Sequence, residues 1–534
     1  MGKISLLDCT LRDGGYINDW EFGHDNLIYT FERLVESGVD MIEVGFLDDR
    51  RPFDTNRSIM PDTASVDRIF GSLDRKQAMV VGMIDYGTCN INHVAPCEES
   101  YLDGIRVIFK KHLRREAFQF CAQLKELGYK VFAQLVSITS YSDEELWDAI
   151  KLANEIEPYA VSIVDTYGLL HQDTLMHYFK LLDEGLADEI TLGYHSHNNF
   201  QLGYANCIAM LSQKVKRDIV VDATLYGMGK SAGNTPIELL AMHLNEHYGK
   251  AYHISQFLEA IDAVILNIYR VSPWGYNMFY YMAASNDCHP NYVSFLLNKR
   301  TLSVKSVNDI LARLPDDKRL MYDEAFINEL YLEYQTIDIE DSQAYETLKA
   351  KLVGKRVLLL GPGSGLEEEK QKIGDYIRKE HPVIIAINFM PNILEVDADY
   401  LFLSNSKRYV QLSTALLWKK EQTRIIATSN LMKHGSEFDF VLKYGELLDN
   451  KAVISDNPLP MILKVLKFCE VQNIVLAGFS GYSYGMNNYI DKSMEYDFTE
   501  KLADSHNQYV SELLSNINRS IPISLLTPSF YRIV

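Results

Sequence analysis

Across the first 250 residues, short apolar runs recur between stretches whose apolar positions fall on one helical face. The runs are ISLLDCT (4–10), MIEVGF (41–46), AMVVGMID (78–85), GIRVIF (104–109), KVFAQLV (130–136), AVSIVDT (160–166), EITLGYHS (189–196) and IVVDATLYG (219–227). Runs of this length and composition predict buried strands. Stretches such as AFQFCAQLKELG (117–128) and DEELWDAIKLANEI (143–156) repeat apolar residues every three or four positions and predict helices packed by one face. Eight strands alternating with helices predict an α/β fold, a parallel (β/α)8 TIM barrel over residues 1–250. An open doubly wound sheet is the competing arrangement. The helix expected between residues 86 and 100 has the weakest pattern.

Past residue 250 the pattern changes. Residues 251–350 read as a helical extension, clearest in SQFLEAIDAVILNIYR, VSFLLNK and VNDILARL. A second alternation begins at Lys355 with RVLLLGPGSG, HPVIIAINF, ADYLFLSN, RIIATSN and NIVLAGFSG. It predicts a Rossmann-like α/β domain over 351–534, its ligand unassigned.

Composition narrows the classes of function. The 534 residues are 47% hydrophobic and 23% charged, so a large core is expected. A formal net charge of −20 argues against nucleic acid or an anionic membrane as partner. No apolar run reaches the length of a bilayer span, and the start, MGKISLLDCTLRD, lacks a signal-peptide layout. Seven scattered cysteines without a CxxC pair suggest a reduced, cytoplasmic protein. A homo-oligomer is expected; a partner dehydrogenase is not determinable from the chain.

The chemistry concentrates at two places. One is Asp8-Cys9-Thr10-Leu11-Arg12-Asp13-Gly14, the other His195-Ser196-His197-Asn198-Asn199. Positions i and i+2 of a strand face the same side, so His195 and His197 are able to reach one ion together. Barrel residues at the carboxyl ends of strands face the active site, and Arg12 and Asp13 are expected to end the first strand. Asp13 then completes a set of two imidazoles and one carboxylate with positions open for substrate. Mn2+ is the expected ion, with Mg2+, Zn2+ and Co2+ as alternatives. A strand-end aspartate with two surface histidines is the plainer reading.

DCTLRDGG, HSHNNFQLGYAN and GMGKSAGNTPIE, in this order, resemble the motifs of the DRE-TIM metallolyase superfamily over residues 1 to about 250. That group includes 3-hydroxy-3-methylglutaryl-CoA lyases, isopropylmalate and homocitrate synthases, and 4-hydroxy-2-oxovalerate aldolases. HSHNN and AGNTP look most like the aldolases. The resemblance implies Asp13, His195 and His197 as metal ligands, Asn234 near the metal, and Arg12 as the group stabilising an enolate oxygen. It implies a small 2-oxo acid as substrate and aldol cleavage as reaction. Claisen condensation of an acyl-CoA, or a barrel that has lost catalysis, are the alternatives. Glu43, in IEVGF, resembles a family active-site carboxylate.

The chain departs from that pattern at Tyr16, where the aldolases carry a histidine as base. Tyr292, in HPNYVSFLLNK, matches an active-site tyrosine of the aldolases, and His289 lies three residues earlier. Tyr292, His289 and a metal-bound water are the candidates for proton transfer. Packing is the plainer role for Tyr16, and a helix-start position the plainer one for His289. Asp85, Arg106, Gln134, Asp165 and Tyr167 are further strand-end groups, each expected to satisfy barrel hydrogen bonds. Lys230 suits a substrate anion or an ordinary solvated loop. In the second domain, Gly361, Gly363 and Gly365 follow a strand and offer a phosphate cradle, but the spacing GxGxG departs from GxGxxG. A tight turn without ligand is the alternative.

Overall fold

The computed structural model describes residues 2–319, 321–419, 422–435, 438–484, 488–490 and 500–533. Its contacts divide the chain into two compact units, Met1–Asp287 and Cys288–Val534.

In the first unit, strands β1 (Ile4–Asp8), β2 (Met41–Leu47), β3 (Met79–Asp85), β4 (Gly104–Phe109), β5 (Lys130–Leu135), β6 (Ala160–Asp165), β7 (Thr191–Ser196) and β8 (Ile219–Ala223) form a parallel sheet. β1 pairs with both β2 and β8, so the sheet closes on itself and an open arrangement is excluded here. A two-residue strand, Ile59–Met60, adds to the end of β2.

The alternation of each strand separates two cores. Leu6, Ile42, Val80, Ile105 and Val221 join the large cluster shared with the helices. Leu7, Met41, Val81, Phe132, Ala160 and Val220 form a separate apolar plug, as expected of side chains of the opposite parity inside the barrel. Two residues further along, the same parity brings in Glu43, Arg106, Gln134, Ser162 and Asp222, all buried. The barrel interior is therefore apolar at its base and ionic towards its carboxyl end.

The outer helices follow the sequence pattern. Asp143–Ile156 buries Leu146, Ala149, Ile150 and Ala153 on one face, and Ser142 with Glu145 forms a capping box at its start. Between 86 and 100 a helix does not form. Two short 3-10 turns, Ile91–His93 and Cys97–Glu99, take its place, and Pro96 stands between them. The helical segment expected over 251–350 is not one body. Phe257, Ala260, Val264, Ile265 and Trp274 pack into the barrel core. Residues from Cys288 onward belong to the second unit, where Tyr331 and Gln335 bond to Asp456 and Tyr444.

The second unit holds a seven-stranded parallel sheet. Its strands are β9 (Arg356–Leu360), β10 (Val383–Ile387), β11 (Tyr400–Leu403), β12 (Arg424–Thr428), β13 (Phe440–Leu442), β14 (Asn473–Ala477) and β15 (Ile523–Leu525). The order is β13-β12-β11-β10-β9-β14-β15, so its direction of growth reverses between β9 and β14. Alternate residues feed separate cores on the two faces, Leu359, Ile385 and Phe402 on one and Leu358, Ala386 and Leu401 on the other. None of the seven cysteines stands in a disulfide. Among the described residues no helix is long and apolar enough to cross a membrane.

Candidate metal centre at the barrel mouth

β1 stops at Asp8, and Thr10–Asp13 form a single helical turn above it. Arg12 and Asp13 thus sit on that turn and not on the strand itself. The reason is local: Asp8 accepts from Thr10 N at 3.0 Å and Thr10 Oγ1 at 2.7 Å, while Asp13 N donates to Cys9 O at 2.8 Å. An aspartate bonding the backbone two residues on starts a turn instead of extending a strand. The turn is anchored from outside by Ser58 Oγ, 2.6 Å from Leu11 O, and by Trp20 Nε1, 2.8 Å from Arg12 O.

Asp13, His195 and His197 converge, one ligand atom of each lying within 4.8 Å of the others. All three are buried. His197 Nε2 stands 3.6 Å from Asp13 Oδ2, and the two imidazole rings are 5.1 Å apart at 84°. Asn234 joins from the loop after β8, its Nδ2 2.5 Å from Asp13 Oδ2. The Nδ1 atoms of both histidines face fixed partners: Asp222 Oδ2 at 2.9 Å for His195, Asp165 O at 3.0 Å for His197. Their Nε2 atoms, and Asn234 Oδ1, are buried with no hydrogen-bond partner. Orphaned buried polar atoms are costly, and three of them beside one carboxylate fit the donor set of a divalent ion. Gly229 keeps this space open, since a Cβ there would lie 2.2 Å from Asn234 Nδ2 and 2.5 Å from Asp13 Oδ2.

Charge in the centre is arranged by the layer beneath. Arg12 donates from Nη1 to Asp13 at 2.5 Å and from Nε to Glu43 at 2.7 Å. Glu43 also faces Arg106 at 3.1 Å, and Arg106 in turn pairs with Asp222 and donates to Gln134 at 3.1 Å. A continuous buried chain thus runs Arg12–Glu43–Arg106–Asp222–His195. Burial pushes the Asp13 carboxyl up, but Arg12 and His197 outweigh it and hold the group well below the ordinary carboxylate range. For His195 burial is the stronger influence and Asp222 the opposing one, so its pKa falls below the usual value and the ring stays neutral. Both protonation states are those a metal ligand needs.

Arg106 and Gln134 satisfy barrel bonds, as expected. Asp165 accepts from Leu169 N and Leu170 N and shapes the β6 loop. Asp222 lies outside the two motifs that carry the ligands in the sequence. Tyr16 stands at the mouth, 41% exposed, its ring 4.9 Å from Trp20 and 6.1 Å from Phe46. The Lys230 ammonium lies 5.3 Å over that ring, and burial lowers its pKa. Tyr292 and His289 belong to the second unit. The Tyr292 hydroxyl lies 2.7 Å from Met321 O and 3.0 Å from Lys318 O and accepts from Asp323 N at 3.1 Å. His289 caps the helix Pro290–Asn298, its Nδ1 accepting from Asn291 N at 3.2 Å.

Residues 3–264 match the model of the HMGL-like family. The chain is 25% identical to 2-isopropylmalate synthase of Sulfolobus acidocaldarius over 48% of its own length and 66% of that protein. It is 27% identical to 4-hydroxy-2-oxovalerate aldolase 2 of Comamonas testosteroni over 45% of its length and 67% of that protein. The solved HMG-CoA lyase of Bacillus subtilis aligns at 15% identity and a TM-score of 0.40, over 51% of this chain and 94% of that one. The barrel of this chain thus matches the HMGL-like family model, in agreement with the resemblance of its motifs to the DRE-TIM metallolyases.

Proposed function

We propose that the barrel is a divalent-metal-dependent carbon–carbon lyase that cleaves a 4-hydroxy-2-oxo acid, or a similar 2-oxo acid, by aldol chemistry. The observation that carries this reading is the set of partnerless atoms, His195 Nε2, His197 Nε2 and Asn234 Oδ1, gathered around the Asp13 carboxylate beside a buried arginine. These four residues would hold the ion, Mn2+ before Mg2+, Zn2+ or Co2+. A divalent ion there supplies Lewis-acid polarisation of the 2-oxo carbonyl. Arg12 stabilises the developing enolate oxygen, for which a guanidinium held rigid by Asp13 and Glu43 is already oriented. Glu43 positions Arg12 through its Oε2. Tyr16 and Lys230 share the mouth and are placed to move a proton or meet the substrate carboxylate. Three backbone contacts give the Tyr292 hydroxyl a packing role. The second unit we read as Rossmann-like, on its parallel order and its reversal. Seven cysteines outside any disulfide favour a reducing compartment such as the cytoplasm.

Similarity to a synthase at comparable identity keeps condensation as the second reading. The full chain loaded with Mn2+ separates the two. Pyruvate release from 4-hydroxy-2-oxo acids is expected; thiol release from acetyl-CoA with a 2-oxo acid would replace cleavage by condensation. Arg12→Lys should lower turnover by roughly 10²-fold or more, with KM little changed, because the charge it meets exists only in the transition state. A metal-loaded chain inactive in both assays would leave a barrel without catalysis.

A further inference from the structure

We propose that the cleft at the carboxyl ends of β9, β10, β11 and β14 in the second unit is a binding site for the phosphate ester of a polar small molecule, gripped by Arg300 and Arg408. Parallel sheets bind ligands where their strand order reverses, outside the carboxyl ends of the strands. Here the reversal falls between β9 and β14, and a cleft of about 920 Å³, counting its open mouth, lies over those ends.

The glycine-rich turn after β9 does not provide the grip. Gly361 N donates to Ala477 O at 2.9 Å, Gly363 N to Gly478 O at 2.8 Å and Ser364 N to Asn488 O at 3.1 Å. A Cβ at Gly363 would lie 2.4 Å from Gly478 O, so the glycine is there to let two turns touch. With those amides engaged, recognition of an anion falls to side chains.

The side chains present suit that task. Arg300 and Arg408 line the cleft, and Arg408 is only 6% exposed. Burial, with the two arginines behind it, lowers the pKa of neighbouring Lys407, which marks a concentrated positive field in a chain of net charge −20. Asp456 is the one carboxylate among the described lining residues, and it is engaged by the hydroxyls of Tyr331 and Tyr444. Two planar guanidinium groups match phosphate oxygens in pairs.

The rest of the cleft describes the body of the ligand. Asn388 is held by Ser404 N at 3.0 Å, Asn405 by Arg408 N at 3.1 Å and Asn457 by Leu459 N at 3.0 Å. Asn388 takes a left-handed φ of 57° at the end of β10 to reach this place. Their Nδ2 groups are engaged as well, on Ser404 Oγ at 3.3 Å, Arg300 O at 3.3 Å and 2.9 Å from His506 Nε2, so the three amides form a rigid polar wall whose Oδ1 oxygens each keep a second lone pair for a hydroxyl. Phe479, Tyr482 and Tyr489 add aromatic faces on which a ring stacks. Nucleotides and sugar phosphates share this chemistry.

Calorimetric titration of the full chain with ADP, UDP, glucose 6-phosphate and inorganic phosphate tests the site. At least one ester should bind more tightly than inorganic phosphate; a nucleotide or a sugar phosphate as the tighter probe identifies the source. Arg408→Gln should weaken it by about tenfold or more, as expected for a lost charged hydrogen bond. Hydrogen exchange on the unaltered chain, which needs no variant to fold, should show protection at residues 404–408 and 478–482 when the ester is added. No ester bound, esters bound no better than phosphate, or protection confined to Met1–Asp287 would each overturn the proposal.

Discussion

Asp222 stands behind His195 and decides how that ring is presented. It accepts from Nδ1 at 2.9 Å and is itself held by Arg106, so the ring keeps its proton on Nδ1 and turns Nε2 to the centre. Asp222→Asn is expected to weaken Mn2+ binding by roughly 10–100-fold with strand content unchanged. Competition with a chelator measures the first and circular dichroism the second; unaltered affinity would reduce Asp222 to a barrel-filling charge. Residues of this kind explain what the sequence did and did not reveal. His195 and His197 face one side by their i, i+2 spacing, Asp13 joins them by its place after the first strand run, and Asn234 came only with the family resemblance. Asp222 lies in IVVDATLYG, where the strand pattern turns it inward. Its partner Arg106 is 116 residues away, and nothing local in either run connects the two. An aspartate inside an apolar strand is the signal that would have found it, since a buried charge needs a partner.

At the scale of elements, the strands of the barrel were legible because each is a short apolar run with a two-residue period. The three-residue strands β13 and β15 were not, being too short to show any period. Nor was the turn Thr10–Asp13, which depends on Asp8 bonding forward to Thr10 and not on hydrophobic pattern. That turn and the loop after β8 meet over Gly229, and their approach is closer than any side chain allows. Gly229→Ala should therefore separate Asp13 from Asn234 and cut Mn2+ affinity while β1 and β8 stay paired. Metal titration beside the far-ultraviolet dichroism of the variant checks both halves. Unchanged affinity in Gly229→Ala, with Asn234 displaced from Asp13 in a structure of the variant, would show that Asn234 is not a ligand.

For the whole molecule, the sequence separated a barrel from a second α/β domain, and the two compact units divide at Asp287–Cys288, inside the stretch read as a helical extension. Helical periodicity runs on through residues 251–350, and periodicity does not tell which core a helix faces. The cores do: Phe257 and Trp274 fill one, Leu348 and Leu352 another. Met1–Asp287 carries its own closed sheet, its own core and the complete set Arg12, Asp13, Glu43, His195, His197 and Asn234. Residues 1–287 made alone should then fold and retain Mn2+. At 100 times the dissociation constant the ion should add about 2.7 kcal/mol to the stability of that fragment, read as a higher unfolding midpoint than with chelator. The same fragment also decides the proton-transfer question, because it keeps Tyr16 and Lys230 and lacks Tyr292 and His289. With the Tyr292 hydroxyl already bonded to backbone, cleavage of the 4-hydroxy-2-oxo acid is expected to persist in the fragment and to fall in its Lys230→Met variant. A fragment that binds Mn2+ normally but has lost turnover would return the role to Tyr292 or His289, and Tyr292→Phe in the full chain would then identify which.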